Sequence, residues 1–79
     1  MNKKYEYNGI DVTMDIYEKI RSTVDLLARE SGADFDDELA AFVESRTYIA
    51  LVNPRTLMWS ESARYIADDY RMEADGRSC

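Results

Sequence analysis

The sequence predicts an all-α protein, a small bundle of three or four helices preceded by an extended N-terminal arm. Apolar residues recur at spacings of three and four along most of the 79 residues, which is the period of helices with one buried face. Only short segments separate these stretches, as in compact helical bundles. No internal repeat divides the chain, so residues 1–79 are expected to form a single domain.

The first twelve residues are predicted to be an arm or a lead-in turn that lays its tyrosines on the core. Apolar and polar residues nearly alternate from Tyr5 to Val12, and Asn8-Gly9 is a dipeptide typical of hairpin turns. The runs on either side of this dipeptide are too short for an independent hairpin. An early start of the first helix is the alternative.

The first helix is predicted from Thr13 to Ser31. Its apolar residues share one stripe, and charged residues cover the other side. Gly32 is well placed to end the helix in a left-handed conformation. The expected core residues of this helix are Ile16, Ile20, Val24 and Leu27.

The second helix is predicted to start at Asp34, whose carboxylate suits the free amides of a first turn, and to fade near Ser45. Its expected core residues are Phe35, Leu39, Phe42 and Val43, which follow a helical spacing. A short third helix is predicted from Arg46 to Val52, with Leu51 in the core. Asn53-Pro54 ends it, because proline disfavours the helical conformation in the residue before it.

The last helix is predicted to span about Ser60 to Glu73, with Ser60 as its cap. Trp59, Ile66 and Tyr70 share one face and complete the expected core. Residues 74–79 are expected to form a disordered tail.

Composition excludes several classes of function. Sixteen acidic and ten basic residues give a net charge of −6, so the basic patch of a direct nucleic-acid binder is not expected, and anionic membrane surfaces are disfavoured. No apolar run approaches the length of a membrane span or follows the lysines near the start as in a signal peptide. Cys79 is the only cysteine, which fits a cytoplasmic location.

No recognisable catalytic apparatus is present. The chain has no histidine, which excludes zincin motifs and the usual histidine-based triads. The three glycines are isolated, so no phosphate-binding loop is predicted. Asp36/Asp37 and Asp68/Asp69 are neighbours that do not face each other on a helix, which makes them poor acid–base pairs. We therefore expect neither an enzyme nor a bound cofactor or metal.

Two features suggest a contact surface. The segment from Glu30 to Glu44 contains six acids and no base; it is either a solvated helix start or a patch that docks on a basic partner. Several of the nine aromatic residues are hard to bury together in a chain this short, which favours a partly exposed aromatic patch and self-association. The candidate partner-binding residues are Asp34, Asp36, Asp37, Glu38, Glu44, Tyr5, Tyr7 and Tyr65.

The stretch from Glu44 to Pro54, the segment Leu57-Met58-Trp59 and the segment from Ser62 to Ala67 resemble a group of short uncharacterised bacterial proteins. That group carries an F-x-x-S-K-T segment, an L-W pair and an S-x-Y-I helix. Phe42 and Tyr65 match it, whereas Met58 separates leucine from tryptophan and Arg46 replaces lysine. Genes of the group often neighbour one that resembles an ADP-ribosyltransferase toxin, which implies a toxin–antitoxin-like cassette or a phage-defence locus.

These observations predict a non-enzymatic, acidic protein-interaction module, for example an antitoxin-like or regulatory accessory protein. One alternative is a nucleic-acid mimic whose carboxylates stand in for phosphates and block a DNA- or RNA-binding protein. A homo-oligomeric structural protein is another. A helix-turn-helix that reads DNA is disfavoured, because its reading helix would begin with acids.

Overall fold

A computed structural model describes residues 5–77 and confirms the all-α class. Four helices are present in these residues, together with a small hairpin and two 3-10 turns. The helices are α1 (Thr13–Ser31), α2 (Phe35–Phe42), α3 (Arg46–Leu51) and α4 (Ala63–Arg77). The hairpin strands are β1 (Glu6–Tyr7) and β2 (Ile10–Asp11), and the 3-10 turns are Pro54–Thr56 and Met58–Ser60. The long helix α1 packs against both α2 and α4.

Helix α1 has the predicted bounds. Gly32 follows it with φ 79° and ψ 4°, and its amide donates to the carbonyl of Ala28, as in a left-handed helix end. The predicted stripe faces inward: Ile16, Val24 and Leu27 are buried, and Ile20 packs on the core.

Residues 6–11 form a short hairpin where the sequence predicts an extended arm or lead-in turn, and residues 1–4 of that predicted arm lie outside the described part of the chain. Asn8 and Gly9 both have positive φ, 53° and 80°, which is the geometry that suits an Asn-Gly turn. Tyr7 pairs with Ile10 across the antiparallel ladder. The hairpin is supported by packing, because the Tyr5 ring contacts Tyr17 and the Tyr7 ring contacts Trp59. The alternative of an early start for α1 is wrong.

Two of the predicted core residues are exposed. Phe35 retains 36% of its accessible surface and Val43 retains 40%, whereas Phe42 is fully buried and Leu39 packs on the core. The reason is that α2 is only eight residues long. Phe35 begins it and Val43 follows it, so neither belongs to the stripe that faces the other helices.

Polar side chains buried between α3 and α4 hold the start of α3. Ser45 is buried and its hydroxyl accepts from the Tyr48 amide at 3.0 Å. The carboxylate of Glu73 accepts from the amides of Arg46 and Thr47, both at 2.9 Å, and from the Thr47 hydroxyl at 2.9 Å. Thr47 is buried. These bonds satisfy first-turn donors that would otherwise lack partners.

The connector between α3 and α4 is more ordered than a plain loop. The Asn53 side chain caps the first 3-10 turn, and Leu57 takes a left-handed conformation, with φ 59°, between the two turns. The Trp59 indole donates to the Pro54 carbonyl at 2.9 Å. Because the second turn ends at Ser60, α4 begins later than predicted, and Ser62 caps it by accepting from the Tyr65 amide at 3.1 Å.

Helix α4 supplies the other side of the core and extends beyond its predicted end. Ile66 is buried, and the Tyr70 ring meets Phe42 at a centroid distance of 5.3 Å. The helix continues to Arg77, so residues 74–77 are helical where a disordered tail was predicted. Residues 78–79 lie outside the described part of the chain.

Candidate interaction surface

The start of α2 carries four of the five predicted acidic residues, and the fifth, Glu44, is exposed after the end of α2. Asp34, Asp36 and Asp37 are exposed, and no arginine or lysine of the described residues lies within ion-pair distance of them. Asp34 has the extended conformation of a cap residue, yet its side chain makes no capping bond. Glu38 is half-buried and accepts from the Ser31 hydroxyl at 2.9 Å. Most of these charges therefore face solvent.

The acidic surface at α2 does not include Glu30, although the sequence places Glu30 in the acidic segment. Glu30 instead forms ion pairs with α4. Arg64 and Arg71 of α4 both contact its carboxylate. The hydrogen bond from Arg64, followed by that from Arg71, lowers the pKa of Glu30, and the same contact raises the pKa of Arg64. Glu30 therefore ties the end of α1 to α4.

An open groove of about 840 Å³ runs along the outer side of α1 and reaches the start of α2. Met14 and Tyr17 line one end and Phe35 lines the other. Polar and charged side chains line the stretch between these ends: Glu18, Arg21, Ser22, Asp25 and Arg29. We refer to this feature as the α1 groove. It places the exposed Phe35 ring at the acidic turn, and Met14 and the Tyr17 ring at the opposite end.

The predicted tyrosines fall in different places. Tyr5 is half-buried and stacks edge-on against Tyr17, a lining residue of the α1 groove, with 6.1 Å between the ring centroids. Tyr7 is half-buried against Trp59. Tyr65 lies exposed on α4 and is not a lining residue of the groove. Of the three, only Tyr5 adjoins the α1 groove, at the end away from the acidic turn.

Sequence reasoning missed Met14 and Tyr17 as surface residues. Met14 is 75% exposed and Tyr17 is also exposed. The signal was present in the helical spacing, because Met14, Tyr17 and Arg21 share the side of α1 opposite its buried stripe. Apolar residues on the polar side of a predicted helix are therefore the sequence signal for such surface residues.

The surface of this region combines charged side chains with exposed apolar ones. No group of three or more histidine, cysteine, aspartate or glutamate side chains in residues 5–77 is arranged to hold a metal ion. None of the helices described is both long and apolar enough to cross a lipid bilayer. What the surface offers is unpaired carboxylates, an open groove and exposed apolar side chains at its ends.

The geometry defines a small all-α bundle with an acidic helix start beside a surface groove. Comparisons with protein-family models, with curated proteins and with solved structures give no match.

Proposed function

We propose that the protein is a non-enzymatic interaction module that binds a basic surface of a partner protein. The observation that carries the proposal is the acidic turn of α2, whose aspartates have no ion pair within the described residues, next to the α1 groove. Carboxylates at the edge of an interface steer a basic partner, and apolar side chains that become buried supply affinity.

The arrangement of the charges favours a discrete patch over a nucleic-acid mimic. Away from the acidic turn, carboxylates alternate with arginines: Asp25 pairs with Arg29 at 2.9 Å, and Arg64 contacts both Asp68 and Glu30. A mimic needs uninterrupted rows of negative charge to reproduce a phosphate backbone. These mixed pairs weaken that alternative.

The proposal also includes the biological role and the cellular location of the protein. The resemblance to short bacterial proteins encoded beside toxin-like genes suggests a regulatory or antitoxin-like accessory protein. A cytoplasmic location is part of the same proposal, because the sequence offers no cysteine pair for a disulfide. In that setting the partner would be an enzyme with a basic surface.

The test is capture of partners by the purified protein, with a matched charge control. Asp36→Asn/Asp37→Asn removes two charges from the acidic turn, and Asp15→Asn/Glu61→Gln removes two exposed charges elsewhere. A partner identified by mass spectrometry should be retained by wild type and the control but lost by the first variant. It should also dissociate as the salt concentration rises from about 0.05 M to about 0.5 M.

The groove has its own test. Phe35→Ala should weaken capture of the same partner, and the helical circular dichroism signal should remain, because Phe35 is outside the core. Two results contradict the proposal: no protein captured at low salt, or a captured protein that is indifferent to both the acidic-turn and the Phe35 variants.

A further inference from the structure

A second exposed surface lies on the outer side of the α3–α4 pair. Tyr65, Asp69 and Met72 are spaced i, i+4 and i+7, so they share one side of α4. Met72 is 71% exposed and Tyr65 is 52% exposed. Beside them a shallow cleft of about 440 Å³ has Ala50 of α3 on one wall and Met72 on the other. We call this surface the α3–α4 face.

The charges on this face are divided between the two helices. Arg46 lines the cleft from α3 and is exposed, and no carboxylate of the described residues lies within 4.0 Å of its guanidinium group. Asp69 and Glu73 line the cleft from α4. Among the described residues, Asp69 accepts only a long bond, 3.4 Å, from the Thr47 hydroxyl. One wall of the cleft is therefore positive and the other is negative.

The positive and negative walls meet where the start of α3 contacts α4. The start of α3 is bonded to Glu73, so Arg46 lies beside the last turns of α4, where Asp69 and Met72 are also found. A two-fold arrangement that lays α3 of one copy on α4 of another sets the positive wall of each copy against the negative wall of the other.

We propose that the α3–α4 face binds a second copy of this chain in such an isologous pair. A two-fold interface requires a surface that is complementary to itself. The face meets this requirement in charge, through Arg46 and Asp69, and in shape, through the prominent Met72 and the small Ala50. It does not include the α1 groove or the acidic turn of α2, so a dimer leaves the surface of the proposed function free.

The dimer is expected to be weak. Helix α3 has only six residues, so the buried area falls in the range of small, transient interfaces, below roughly 1,200 Å² in total. We expect dissociation in the micromolar to millimolar range. Sedimentation velocity on wild type from about 10 μM to about 1 mM should show a concentration-dependent shift from monomer to dimer.

A matched pair of variants tests the location. Met72→Glu places a charge at the centre of the proposed contact and should weaken dimerisation at least about tenfold. Met14→Glu makes the same change at a similarly exposed methionine on α1 and should leave dimerisation unchanged. A chain that stays monomeric throughout the concentration range, or a dimer disrupted by Met14→Glu and not by Met72→Glu, overturns the proposal.

A charge exchange tests the pairing. Arg46→Glu and Asp69→Arg should each weaken the dimer, because each sets like charges against one another across the two-fold axis. The double variant restores opposite charges and should recover most of the association. Circular dichroism monitors folding of each variant. If all three variants fold and the double variant stays as weak as the singles, the proposed pairing is wrong.

Discussion

The first turns of α2 and α3 differ in the hydrogen bonds that they make with the rest of the molecule. At α3, Glu73 reaches across from α4 and accepts from two amides, while Ser45 accepts from a third. At α2, Asp34 makes no capping bond and the aspartates that follow it are exposed. The carboxylate at the start of α3 therefore stabilises that helix through hydrogen bonds. The carboxylates at the start of α2 face solvent, where a partner can reach them.

The largest effect should come from removing the carboxylate at α3. Glu73→Ala is expected to lower the free energy of unfolding by about 2–3 kcal/mol, because two amides lose their acceptor and the buried Thr47 hydroxyl keeps only its long bond to Asp69. Urea denaturation measures the change. Glu61→Ala, at an exposed acid, serves as the control and should change stability by no more than about 0.5 kcal/mol. Equal losses in the two variants would contradict the structural role of Glu73.

Substitution of two buried threonines tests further how much buried hydrogen bonds contribute to stability. The Thr47 hydroxyl donates to Glu73, whereas the Thr23 hydroxyl in α1 is buried and has no hydrogen-bond partner among residues 5–77. Thr47→Val should cost about 1–2 kcal/mol, because the carboxylate loses a donor, and Thr23→Val should be neutral or stabilise by up to about 1 kcal/mol. Thermal and urea unfolding of both variants give the sign. A destabilised Thr23→Val would show that its hydroxyl has a partner in solution.

At the start of α2 the stability effect should be small. Asp36→Asn/Asp37→Asn weakens a favourable interaction with the helix dipole and relieves repulsion between neighbouring acids, so we expect a net loss below about 1 kcal/mol. The same variant should abolish partner capture. A stability loss as large as that of Glu73→Ala would mean that these aspartates serve mainly to hold the helix.

The smallest effect concerns Glu30 and depends on pH. Its contacts with Arg64 and Arg71 lower its pKa in the folded state, so its stabilising contribution is present above the ordinary glutamate pKa, near 4.3. That contribution is lost as the pH falls through the folded value. The stability difference between wild type and Glu30→Gln should therefore shrink on acidification from pH 7 to about pH 3. A constant difference would contradict the assignment.

Local signals predicted α1 well, because its stripe is continuous and Gly32 marks its end. The errors occur where a short element depends on its neighbours. Ser60 and Ser62 are equivalent as caps in the sequence, and only the second 3-10 turn decides between them. Phe35 fits the helical spacing of the core, but α2 is too short to bring it under another helix. Spacing alone carries no information about where a helix end lies in the fold.

The polar contacts between α3 and α4 could not be predicted locally. Thr47 and Glu73 are 26 residues apart in the chain, and no periodicity links them. The acidic turn was found from charge alone, because an excess of acids needs no tertiary information. The α1 groove could not be predicted from the sequence, because its two ends come from different helices. The ion pairs of Glu30 could not be predicted either, because they form only when α4 packs on α1.

Trp59 is the only tryptophan in the chain, and its surroundings give the protein an intrinsic optical probe. The indole bonds to Pro54 in the connector and touches the Tyr7 ring of the hairpin. Its emission therefore reports on the docking of these two segments and on the core against which the indole packs, while far-ultraviolet dichroism reports on the helices. If the hairpin opens before the bundle melts, fluorescence will change at a lower temperature than ellipticity, and the two transitions will be separable in one sample.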